Sequence, residues 1–186
     1  MPERGFFQRF VVPVCSVMIP LALSFLIYFN AARIDNHALH QVVAMVSGIV
    51  MIAAAMLGAG VIYPLMFFRG AQRWEKIVGS LVPAIAFDAY EVYVATGVFP
   101  LPDSLYYALN PTAVVVFLLA FGLMGACELV CRSIIRRRGE QVRLLTPTPV
   151  AAIAAMIAGI YVALIWGNGA HFFYFYINSY IFFFKS

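Results

Sequence analysis

The sequence predicts an all-helical integral membrane protein: a bundle of about five transmembrane helices followed by a C-terminal aromatic helix, interfacial or half-inserted. Three observations carry this. Of 186 residues, 64% are hydrophobic and only 11% are charged, whereas a soluble domain is about half apolar and a quarter charged. Apolar runs of roughly 20 residues recur, the length a helix needs to cross about 30 Å of hydrocarbon. The runs are continuous rather than alternating apolar and polar, which argues against a transmembrane barrel. The loops between them leave no room for a soluble domain. The chain is therefore read as a single multi-pass domain, with its function in the membrane, at its faces, or in a partner.

The first span is expected at 10–29, after a short lead carrying Arg4 and Arg9. A signal peptide opens in the same way. This run is long, contains Pro13 and Pro20, and ends without a small-x-small cleavage site, so it is read as a retained helix. A polar loop with Arg33, Asp35, Asn36, His37 and His40 follows. The second span, 41–68, is longer than a bilayer requires and is expected to tilt or project. Its stretch Ala53 to Gly60 is rich in small residues, which let helix backbones approach closely. Pro64 is expected to kink this helix or end it near Tyr63. Arg69, Arg73 and Lys76 make the next loop basic, and Trp74 suits the headgroup level.

The third span, 77–99, contains Pro83, Asp88 and Glu91 and is stopped by Pro100 and Pro102. The fourth, 112–135, carries Cys127, Glu128 and Cys131 and runs into Arg132, Arg136, Arg137, Arg138 and Arg143. The fifth is expected at 150–166, with Ala151, Ala155 and Ala158 along one face. After the break at Gly167 to His171, the aromatic tail 172–184 is too short to span unaided. Basic loops stay on the cytoplasmic side. The N-terminus and the two arginine-rich loops are therefore expected inside, and the histidine-bearing loop, Asp103 and His171 outside. The expected location is a bacterial-type plasma (inner) membrane.

Asp88 and Glu91 form the leading candidate site. They share a helix face three residues apart, where hydrocarbon surroundings make a charge costly. They read as a proton or cation relay, or as carboxylates that meet a partner's cationic group; interhelical hydrogen bonding is the plainer alternative. No lysine or arginine occurs between Lys76 and Arg132. Glu128 is a third relay or interface candidate, although Arg132, four residues on, makes a simple ion pair with it the plainer reading. Cys127 and Cys131 share a face, where buried cysteine is more often a small hydrophobe than a ligand. His37, His40 and His171 are candidate ligands for haem or a transition metal at the outer face, since neutral imidazole ligates such ions.

The net charge of +4 does not point to nucleic acid. Arg132, Arg136, Arg137, Arg138 and Arg143 directly follow a membrane helix and read as a topology signal that contacts anionic lipid. No nucleophile–base pairing assigns an enzymatic reaction to the isolated chain. The expected partners are membrane lipids and other membrane subunits. The leading functional expectation is a small integral subunit that anchors or completes a larger respiratory, electron-transfer or transport complex. The alternatives are a proton- or cation-coupled transporter or channel using Asp88, Glu91 and Glu128, and a redox or metal protein using the three histidines.

Overall fold

The computed structural model describes residues 5–96, 111–144, 149–152, 154, 156 and 157. A π-type turn, Phe7–Val11, leads into helix α1, Val12–Ala31. Helix α2 is His37–Phe68, α3 is Arg73–Thr96 and α4 is Pro111–Arg137. Residues 149–152, 154, 156 and 157 are helical too, and no strand occurs among the described residues. Phe7–Ala31, His37–Phe68 and Val114–Arg137 are each long and apolar enough to cross a membrane. The chain is an integral membrane protein. Helix α3 has the length, 24 residues, but Arg73, Glu75, Lys76, Asp88 and Glu91 interrupt its apolar character. The rest of the fifth expected span beyond residue 157, the loop around Asp103, His171 and the aromatic tail lie outside the described residues.

The helix ends follow from local chemistry. α2 starts at His37, earlier than its apolar run, because the Asn36 side chain caps it and accepts from the Leu39 N–H at 3.1 Å. The loop before it shrinks to residues 32–36. At the other end α2 does not stop at Tyr63; it passes through Pro64 and runs to Phe68. Proline lacks the N–H that would bond the carbonyl four residues back, here Gly60. That carbonyl instead accepts from the Cys127 thiol of α4 at 3.5 Å. The helix terminates at Gly70, whose φ of 73° is a left-handed conformation that suits glycine. The Ala71 N–H then reaches back to the Met66 carbonyl at 3.0 Å and the Gly70 N–H to Phe67 at 3.1 Å, a Schellman ending.

α2 is the central helix and packs against α1, α3 and α4. Glycines let it come close to its neighbours. A Cβ on Gly58 would lie 2.9 Å from Val17 on α1 and 3.1 Å from the Pro83 ring on α3. A Cβ on Gly79 would lie 2.8 Å from the Met66 sulfur. Around these contacts sit three apolar clusters: Val17, Ile62 and Met66; Leu21, Met51, Ala55 and Phe87; and Ala59, Tyr63, Ala84, Val116, Ala120 and Met124. Side chains such as Ile19, Leu23 and Leu26 on α1 and Val42, Val46 and Ile49 on α2 point outward. In an integral membrane protein, those faces meet lipid.

Candidate functional site

One end of the bundle gathers the basic residues of three segments: Arg9 before α1, Lys76 at the start of α3 and Arg132 near the end of α4. Glu128 is the hub there, only 9% exposed. Its Oε1 accepts from Arg132 Nε at 2.7 Å, one helical turn away on α4. Its Oε2 accepts from the Tyr63 hydroxyl of α2 and faces Lys76 Nζ of α3 at 4.0 Å. Lys76 also lies over the rings of Tyr63 and Phe67, 5.5 and 4.7 Å from their centroids, positions a cation favours. One carboxylate thus joins α2, α3 and α4. Gly139, with φ of 89°, turns the chain after α4, and the Arg143 carbonyl accepts from Arg132 at 3.1 Å. Arg136, Arg137, Arg138 and Arg143 are exposed at this end, an arrangement open to anionic headgroups.

The neighbouring acid, Glu75, is 1% exposed and turns the other way. Its Oε1 pairs with Arg9 at 3.0 Å, and its Oε2 accepts from the Gln72 N–H at 2.7 Å. The second contact places a glutamate at the third position of a helix so that it satisfies the cap N–H. Sequence reasoning passed over Glu75. The available signal was a glutamate in the first turn after a glycine turn, with an unassigned arginine at position 9.

Asp88 lies at a different depth. Twelve residues separate it from Lys76, about 18 Å along a helix, so α3 holds Asp88 and the Glu128 hub far apart. Glu91 lies one turn beyond Asp88 on the same helix. The three carboxylates therefore do not form one cluster. Asp88 Oδ1 is enclosed and has no hydrogen-bond partner among the described residues. Among the described residues the other enclosed side-chain atom in that position is Ser80 Oγ, in a residue 1% exposed. Ser80 lies on the ridge of residues four apart that runs Lys76, Ser80, Ala84, Asp88. Ala84 packs with Ala59 and Tyr63 of α2 and with Val116, Ala120 and Met124 of α4. The ridge accordingly follows the groove between α2 and α4. Sequence reasoning missed Ser80 because a lone serine in a helix carries little information until its burial is known.

His37 and His40 sit at the end opposite the Glu128 hub. His37 is the first residue of α2 and His40 lies in its first turn. His40 Nδ1 is 2.7 Å from the Ala31 carbonyl, which ties the α1–α2 hairpin together. Among the described residues no group of three or more His, Cys, Asp or Glu side chains is placed to hold a metal ion; His171 lies outside them. Cys131 is buried, and Cys127 is engaged with Gly60. No family model, curated protein or solved structure matches this chain. The site must be read from its own geometry.

Proposed function

We propose that this chain is a small integral membrane subunit that completes a larger membrane assembly of respiratory, electron-transfer or transport type. In this reading five helices span an inner membrane, the N-terminus is cytoplasmic, and the aromatic tail docks at the outer face. Asp88 carries the proposal. Glu75 and Glu128 are each answered by bases, whereas an enclosed oxygen of Asp88 has no hydrogen-bond partner among the described residues. The sequence offers no lysine or arginine between Lys76 and Arg132. A charged carboxylate at bilayer depth is costly unless something neutralises it. The enclosed Oδ1 is out of a partner's reach, but Asp88 as a residue is only half-buried, and a cation on a neighbouring subunit would approach it from that open side. The Glu128 hub, saturated by Tyr63, Lys76 and Arg132, reads as the structural anchor of the same subunit.

Purification in mild detergent tests the proposal. A second membrane protein should co-migrate at fixed stoichiometry, and Asp88→Ala should release it while the variant still elutes as a folded species. Recovery of a lone monomer with an activity of its own overturns the reading.

A further inference from the structure

We propose that the basic end of α4 binds one anionic phospholipid, with Arg136, Arg137 and Arg143 on its headgroup phosphate and Val130 and Ile134 against its acyl chains. The arginines at this end divide into two sets. Arg9 and Arg132 are spent inside the fold, on Glu75 and Glu128. Arg136, Arg137, Arg138 and Arg143 are exposed, and among the described residues none of them forms an ion pair. Glu140 is the only acid in the segment that carries them. The segment therefore keeps a net positive charge that the described residues do not neutralise. Arg143 joins the others through the fold. α4 ends at Arg137, Gly139 turns the chain with its φ of 89°, and the Arg143 carbonyl accepts from Arg132 at 3.1 Å. Arg136 lies one turn beyond Arg132 on α4, so the returning backbone sets Arg143 beside it. Val142 and Leu144 are half-buried while Arg143 between them is exposed, which turns its side chain away from the bundle.

The helix also supplies a place for the chains. Val130 is exposed and Ile134 half-buried, and with Arg137 they follow one face of α4 at spacings of four and three residues. Arg137 lies about 10 Å beyond Val130 along the axis, so a lipid whose chains lie on Val130 and Ile134 brings its phosphate to the level of the arginines. The guanidinium fork matches phosphate oxygens in a bidentate way. A zwitterionic headgroup carries a phosphate too, but its own ammonium competes with the arginines and its net charge is zero. A net-negative headgroup gains from every arginine near the surface, and that difference gives the site its selectivity. Such a site does not depend on a partner subunit.

Native mass spectrometry of the purified full-length chain tests it, in nonionic detergent micelles carrying equal amounts of dioleoyl phosphatidylglycerol and dioleoyl phosphatidylcholine. The expected result is a single bound phosphatidylglycerol outnumbering phosphatidylcholine by about tenfold. That ratio should fall to near parity when Arg137→Gln and Arg143→Gln are combined, and Arg33→Gln, at the opposite end of the molecule, should leave it unchanged. Parity in the unsubstituted protein overturns the proposal, and so does a ratio that the double variant does not lower. An equal drop in Arg33→Gln overturns it as well, because net charge alone would then attract the lipid. Inorganic phosphate is the third probe: if millimolar phosphate displaces the phosphatidylglycerol, the ligand is a free anion and the lipid assignment fails. The substituted arginines are exposed and Arg132 stays in place, so the fold is expected to persist; unchanged gel-filtration elution and circular dichroism confirm that. Loss of a co-purifying partner does not alter this ratio, so the two proposals fail separately.

Discussion

Glu128 presents its two oxygens to different parts of the molecule, and the substitutions there should have unequal costs. Oε1 faces Arg132 on its own helix, whereas Oε2 faces Tyr63 and Lys76 on two others. Removing a partner from a buried ion pair leaves an uncompensated charge and typically costs about 3–5 kcal/mol. Glu128→Ala is expected in that range, because Lys76 stays enclosed with only the aromatic rings beside it. Arg132→Ala leaves Lys76 and Tyr63 on the carboxylate and is expected to cost about 1 kcal/mol. Reversible unfolding in mixed micelles gives the comparison; equal losses would mean that the long-range contacts contribute nothing. The Arg132 contact was legible from a spacing of four residues. Tyr63 and Lys76 were not, since nothing local in the sequence says which tyrosine or which loop lysine a folded chain brings to position 128.

Helices α1 to α4 were legible to within a few residues, because continuous apolar runs fix their existence and polar or glycine-bearing segments fix their ends. Proline was harder to read. Pro64 loses a backbone hydrogen bond wherever it stands, but whether the helix stops depends on who satisfies the Gly60 carbonyl, and Cys127 does so from another helix. Cys127→Ser retains a donor and should be close to neutral. Cys127→Ala leaves the carbonyl without it and should lower stability by about 1 kcal/mol, read by the same unfolding assay; a larger loss in the serine variant contradicts the assignment. Pro83 is accommodated by Gly58 on α2, where an added Cβ would lie 2.9 Å from Val17 and 3.1 Å from the proline ring. Gly58→Val therefore forces α1, α2 and α3 apart and should cost about 1–3 kcal/mol. Gly5, with nothing near the position of its missing Cβ, is the control: Gly5→Ala should change stability very little.

Across the whole molecule, charge and packing lead independently to one arrangement. The positive-inside pattern assigns Arg9, the Arg69–Lys76 loop and the arginines after α4 to one side. The fold brings the same residues to one end through contacts that owe nothing to a membrane: Arg9 on Glu75, Arg69 on the Gln8 carbonyl, and Lys76 on Glu128. His37 and Asn36 lie at the opposite end of α2, 32 residues long. If α1, α2 and α4 cross a bilayer with these contacts intact, the chain between α2 and α4 has to cross back, and α3 is the segment proposed to do so despite Asp88 and Glu91. A membrane-impermeant maleimide applied to intact cells decides whether it does. Asn36→Cys and Ser104→Cys should both label from outside, and Gln8→Cys and Glu140→Cys only after permeabilisation. Labelling of Ser104→Cys on the same side as Gln8→Cys would mean that α3 does not cross. Asp88 would then be a carboxylate near the membrane surface, where water solvates its charge and no partner is needed.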